Sequence, residues 1–467
     1  MMFPFALISG YITEDFGQRL EVRVLELEED RVVFRTADRI GAVSRLELYF
    51  YDDRAGQYDG IALENPAVTE KKAPVQQKTS SQRNGDPERQ FYFEYEVEIA
   101  EESYKKAVQK LYVAYDHYIQ KKLAGDDAAL SEDYTGYPAK LDDAITTDFA
   151  RQRAEWYQNI DTDAVRETGL LHMLRERQTE LAVELDCPEL YEQYLDQDAA
   201  VFYENYWKEH GLSGHPLAQY LPERLYIGNQ FCPHLIPDWE KLKELLDKAE
   251  REHLSITLMF SYLREERIAD TRKLLDQIAA WCDRAQTRIE IIAGDWGMLS
   301  LICERKTWFE PVPGVLLNKR RKDPRVRYKI GVSGEHEPPA ENALNSSFYR
   351  AYLKKAYGIT RFEQESCGYC IQLPEGKNSI HFPFYQTNTS QYCPLYARCK
   401  EGSRGRQREM ETCPRYCRDY VFSYPDHLHM VGRYNSLFSY DTQILTEDTL
   451  LFYYIAHGAD RIVLNLM

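Results

Sequence analysis

The sequence predicts an α/β protein, with a parallel (β/α)8-type barrel over residues 222–467, an antiparallel β domain over residues 1–100 and a helical connector over residues 101–221. Three observations predict it. Beyond Pro222, short apolar runs alternate with helical segments; near the N-terminus, apolar and charged residues alternate with period two; between these regions, apolar residues recur at helical spacing. A chain of 467 residues also exceeds the roughly 250–300 at which one hydrophobic core stops growing, so more than one domain is required.

In the β domain, Leu20, Val22 and Val24 alternate with Glu21 and Arg23, and two more β-rich runs follow at 31–36 and 45–51. The stretch 65–89 is rich in Pro, Lys, Gln and Ser with few large apolar residues, so it reads as a loop that cannot offset its ordering entropy by burial. Phe93, Tyr95, Val97 and Ile99 then alternate with Glu94, Glu96 and Glu98 as a returning strand. Tyr104, Val108, Leu111, Tyr115 and Tyr118 open the helical connector, and further helical patterns over 144–185 and 190–210 continue it.

The barrel is read from eight runs, at 224–230, 255–262, 288–293, 312–317, 359–365, 380–385, 429–434 and 461–466. Helical segments between several of them imply right-handed βαβ units on a parallel sheet, closed as a barrel or, alternatively, open and doubly wound. The last run holds Ile462, Val463, Leu464 and Leu466 almost without interruption, as expected of a strand buried on both faces. A cover for its outer face is expected from the connector helices or from a partner subunit.

A net charge of −17 opposes general DNA binding, which needs a cationic face for phosphates. The apolar N-terminus has no basic residue before it and falls short of the roughly 18 residues of a membrane span, so a soluble, cytoplasmic protein is expected. The ten cysteines concentrate late in the chain, where metal or redox chemistry is the expected use in a large intracellular-looking protein.

In a parallel barrel, chemistry gathers where strands end, because the loops there converge on one face. Cys232 follows the first run, Cys367 and Cys370 follow the fifth, and Cys393, Cys399, Cys413 and Cys417 lie after the sixth. Cys187, Cys282 and Cys303 sit in helical, apolar contexts and read as small buried hydrophobes. Cys399-x13-Cys413-x3-Cys417 supplies three thiolates in one loop, and Cys232 would complete four. Four thiolates suit a 4Fe-4S cluster or a structural zinc, and a redox dithiol is a further reading.

The segments Tyr226-Ile227-Gly228-Asn229-Gln230-Phe231-Cys232, Glu290 to Gly297, Gly314-Val315-Leu316-Leu317-Asn318 and Tyr396-Ala397-Arg398-Cys399, with Cys413 and Cys417, resemble the peptidase U32 (collagenase-like) family. Within it, the motifs are most similar to the oxygen-independent ubiquinone-biosynthesis hydroxylase subunits. The resemblance implies a β/α barrel and a 4Fe-4S cluster on Cys232, Cys399, Cys413 and Cys417, with Cys367, Cys370 and Cys393 as alternates. It also implies oxygen-independent hydroxylation or a related redox modification of an organic or RNA substrate; a collagenase-like peptidase and a non-catalytic cluster- or zinc-bearing scaffold are the alternatives. A protein partner or a second copy of the chain is compatible with each. No GxSxG, HExxH, Walker A or GxGxxG motif occurs.

Residues 318–329 carry a dense run of Lys and Arg, a local positive site on an acidic protein that suits an anionic substrate. Asp295 ends the third run and Glu363 and Glu365 lie in the fifth, where carboxylates reach a ligand or serve as caps and ion-pair partners. Asp295, Asn318, Lys319, Arg325 and Glu365 are therefore the substrate-binding candidates. The strand spacing over 30–50 resembles a PilZ-like domain, with Arg35-x3-Arg39 at the spacing of its nucleotide motif. The Asp-x-Ser-x-x-Gly partner is absent, so docking is expected in place of cyclic-dinucleotide binding.

Overall fold

The computed structural model describes residues 8–52, 57–71, 92–124, 144–324 and 340–467, apart from residues 16, 18, 159, 163–168, 319, 321, 323, 405 and 411. It divides into two compact units, the first within residues 1–142 with short pieces after residue 323, the second holding the remaining residues from 143 onward.

The first unit is a seven-stranded antiparallel sheet of β1 (Ile8–Glu14), β2 (Arg19–Glu28), β3 (Arg31–Thr36), β4 (Val43–Asp52), β5 (Gln57–Glu64), β6 (Val68–Lys71) and β7 (Phe93–Glu98), in the order β5-β4-β1-β2-β3-β7-β6. Period-two alternation puts Val22, Val24, Phe34, Leu46, Leu48, Tyr95 and Val97 on its buried face. Part of the expected loop is a strand, because β6 pairs with β7; residues 72–91 lie outside the described residues. Helix α1 (Glu102–Ala124) lays Tyr104, Val108, Leu111 and Ala114 on the same core, and the Tyr104 hydroxyl donates to the Arg31 carbonyl at 2.7 Å. This helix belongs to the β unit and does not act as a connector.

The second unit is a mixed sheet with helices. Its parallel strands are β9 (Glu180–Leu185), β10 (Arg224–Gly228), β11 (Ser255–Phe260), β12 (Ile289–Ala293), β13 (Phe309–Pro313), β14 (Arg361–Glu365), β15 (Lys377–Thr389) and β19 (Ala459–Asn465). They run β13-β12-β11-β10-β9-β19-β15, with β14 on the other edge of β15. β8 (Ala144–Thr146), β16 (Val421–Ser423), β17 (Met430–Arg433) and β18 (Ser436–Tyr440) extend β15 as an antiparallel arm.

Two expectations are corrected here. The run at 429–434 is β17, an antiparallel strand of the arm and not one of the parallel strands. The missing parallel strand is β9, which lies inside the stretch expected to be helical and pairs with both β10 and β19. Residues 101–221 are thus no single connector: α1 joins the first sheet, and α2 (Phe149–Tyr157), α3 (Leu170–Arg177), β9, α4 (Pro188–Asp196) and α5 (Ala199–Glu209) belong to the second unit.

Those helices do meet the last strand. The Tyr157 hydroxyl donates to the Leu466 carbonyl at 2.9 Å, and the Leu466 N–H donates to the Tyr206 hydroxyl at 2.7 Å. Trp156 stacks on Tyr440 with ring centroids 5.7 Å apart. Helices α6 (Trp239–Arg251), α7 (Ile268–Ala285) and α8 (Trp296–Cys303) separate β10 to β13. α9 (Ser347–Tyr357) precedes β14, α10 (Pro394–Glu401) follows β15 and α11 (Asp448–Ala456) precedes β19.

One face of the parallel strands carries Ala182, Tyr226, Met259, Ile292, Val312 and Val463 as an apolar layer. Two residues nearer the strands' amino ends lies a charged layer. Arg461, 1% exposed, donates to Glu290 at 2.6 and 3.1 Å, to Glu180 at 2.5 Å and to the Tyr226 hydroxyl at 2.8 Å. Arg224 joins Glu180 at 2.7 Å. Buried charges of this kind persist only when paired on every side.

Candidate functional site at the carboxyl ends of the strands

The turns that follow β10 and β12 have local structural causes. Gly228, at φ +116°, could not carry a Cβ, which would lie 2.3 Å from the Met259 carbonyl oxygen; at Gly294 a Cβ would lie 2.5 Å from the Ser261 carbonyl carbon. Glycine here lets β10, β11 and β12 end in close backbone contact. Beyond β10, the Asn229 side chain accepts from the Phe231 and Cys232 N–H groups at 2.9 and 2.8 Å and donates to the Asp186 carbonyl, forming the turn that holds Cys232.

Cys232 is buried and opens on a cavity of about 610 Å³ that is also lined by His234, Phe260, Arg264 and Arg267. Burial, with the neighbouring sulfurs of Cys393, Cys417 and Cys413, raises the Cys232 thiol well above its ordinary range. Burial likewise pushes Cys393 up to about 11 and Cys417 up to about 12, with other cysteines of the group contributing. Four thiols are therefore electrostatic neighbours. Cys399 also acts on Cys393, from α10, and its own thiol is raised chiefly by burial.

Local structure holds these residues. The Cys393 sulfur caps α10 by accepting from the Tyr396 N–H at 3.4 Å and donates to the Tyr434 carbonyl at 3.2 Å; the Cys413 sulfur accepts from the Arg415 N–H at 3.4 Å. Arg433 places positive charge near Cys417, Cys187 and Asp186. Among the described residues no three His, Cys, Asp or Glu side chains stand in a ready-made metal-holding arrangement. Cys367 and Cys370 lie elsewhere, after β14: both act on Tyr454, and Arg320 and Lys322 act on Cys367.

A second cavity, of about 540 Å³, lies where β11, β12, β13 and β15 end and shares Tyr262 and Leu263 with the first. Asp295 lines it, but its carboxylate is engaged: it accepts from the Leu263 N–H at 2.8 Å and caps α8 through the Met298 N–H at 2.7 Å. Asn318 is buried and donates to the Glu363 carbonyl at 2.7 Å, bracing β14. Glu365 pairs with Lys322 and accepts from the Gln386 N–H at 2.7 Å. Lys319 and Arg325 lie outside the described residues. In the first unit, Arg35 lies over the Tyr92 ring and Arg39 pairs with Glu70 at 2.9 Å.

Sequence reasoning missed a buried ionic centre inside the second unit. His381 is held through Nδ1 by Glu184 and through Nε2 by Glu363, each at 2.5 Å, and Glu363 also accepts from Ser379 at 3.0 Å. Burial alone would lower the His381 pKa, but the two carboxylates outweigh it and raise it to about 10. The available signal was a set of charged residues inside otherwise apolar strand runs. No protein-family model matches the chain, and no curated protein matches it.

Proposed function

We propose that the second unit is a closed (β/α)8-type barrel whose cysteines hold a 4Fe-4S cluster. The function that follows from the U32 resemblance is support of oxygen-independent hydroxylation, or a related redox modification, of an organic or RNA substrate. Closure is supported by the strand order, which follows chain order around a ring with β13 and β14 as its two ends, and these ends lie beside one another.

The observation that carries the cluster reading is that the thiols of Cys393 and Cys413 act on both Cys232 and Cys417, although the four are spread over 185 residues of sequence. Thiolates are the ligands of iron–sulfur clusters, and Arg433 offsets the negative charge that four of them would bring. Cys232, Cys413 and Cys417 are common to the proximity and the resemblance; Cys393 by proximity, or Cys399 by resemblance, supplies the fourth ligand. A bound cluster of this type supplies one-electron transfer. The chain's own part is to hold the thiolates, screen them by burial and seat a substrate in the adjoining cavities. For the first unit we propose docking, supported by the engagement of Arg39 with Glu70.

Metal and sulfide analysis of anaerobically purified protein tests the reading. About four irons with acid-labile sulfide per chain are expected. Cys413→Ser and Cys417→Ser should lose the iron, Cys282→Ala should keep it, and whichever of Cys393→Ser and Cys399→Ser loses it identifies the fourth ligand. Stoichiometric zinc without iron would replace the redox reading with a structural tetrathiolate scaffold.

A further inference from the structure

The second cavity contains an unspent cation. Arg320 lines it and donates through Nη1 to the Ala340 carbonyl at 2.8 Å; the Tyr369 hydroxyl interacts with the guanidinium, and among the described residues its enclosed Nε and Nη2 have no acceptor in hydrogen-bonding geometry. These two nitrogens share one edge of the guanidinium, the edge whose parallel N–H groups match both oxygens of one carboxylate. The other described charged groups of the lining are occupied: Lys322 pairs with Glu365, and Asp295 is spent on two backbone N–H groups. An enclosed guanidinium edge left without an acceptor is costly, and a native structure rarely keeps one without a use.

The rest of the lining suits an organic body. Tyr262, Leu263, Val315 and Leu316 give the cavity an apolar side, and its volume of about 540 Å³ lies in the range of small-molecule sites, roughly 300–1,000 Å³. We propose that this cavity binds a small organic carboxylic acid, with the carboxylate on the Nε–Nη2 edge of Arg320 and the apolar body against Val315 and Leu316. The assignment rests on the cavity alone and is independent of the cluster.

Calorimetry on the full-length protein, with benzoate and inorganic phosphate as the two probes, tests it. Benzoate should bind, and more tightly than phosphate, because phosphate offers the same oxygens without an apolar body. Arg320→Lys, which keeps the charge but removes the paired N–H edge, should weaken benzoate by about tenfold or more. Leu316→Trp, which fills the cavity and leaves Arg320 intact, should abolish binding and gives the answer if the Arg320 variant does not fold. Failure of benzoate to bind, unchanged affinity in Arg320→Lys or in Leu316→Trp, or phosphate binding as tightly as benzoate would each overturn the proposal.

Discussion

At the scale of single residues, the interior of the second unit is organised by charge as much as by apolar packing. Folded His381 has a pKa raised to about 10, above the roughly 6.5 of an unfolded histidine, because Glu184 and Glu363 hold both ring nitrogens. A group raised in this way contributes its full stability below the unfolded value and loses it as pH rises through the folded one. The unfolding free energy should therefore fall between pH 6.5 and about 10, by up to about 1.4 kcal/mol per pH unit. Urea titrations at several pH values check this: the slope should flatten in His381→Gln, and an equal slope in that variant would show that the imidazole is not charged. Glu290 works in the opposite sense. Burial would raise its pKa, but hydrogen bonds and charge from Arg461, with Arg224 and Arg361, bring it down to about 2, so its contribution is present above the unfolded value and lost in acid. These partners are far apart in the chain, and no local pattern discloses them; Arg461 was visible only as a charge opening an apolar run, and Glu184 lay in a stretch read as helical.

At the scale of elements, the sequence disclosed most strands but misread β9, the strand that joins β10 to β19. Glu180-Leu181-Ala182-Val183-Glu184-Leu185 is short and rich in good helix formers, so propensity favours a helix; pairing to β10 and β19 overrides it. Met430 to Arg433 was correctly extended, but nothing local distinguishes a parallel strand of the main sheet from a strand of the antiparallel arm. The helical period of α1 was legible, whereas its choice of sheet depended on contacts at long sequence separation. A fragment of residues 222–467 lacks β9 and would leave two facing strand edges unpaired, so it should aggregate. A fragment of residues 144–467 restores the strand and should be monomeric with a cooperative melt. Sedimentation and thermal unfolding of the two fragments decide it; a monomeric, equally stable shorter fragment would contradict the pairing of β9 between β10 and β19.

At the scale of the whole molecule, a net charge of −17 coexists with local positive groups at the strand ends, where Arg320, Lys322, Arg264, Arg267 and Arg433 gather around the cavities and the cysteines. No described helix is long and apolar enough to cross a membrane. The sequence motifs located this end of the fold through Gly228, Asn229, Cys232, Gly294 and Asp295, each of which has a backbone task there. What they did not reveal is that Cys393 stands with Cys232, Cys413 and Cys417, since the spacing of the loop alone fits more than one set of four. The most direct measurement is Mössbauer spectroscopy of iron-57-enriched protein purified without oxygen. The iron should be present as one 4Fe-4S cluster per chain, with Cys413→Ser removing the signal and Cys282→Ala leaving it intact. Protein with no cluster iron, or with a cluster signal that survives Cys413→Ser, would contradict the cluster reading.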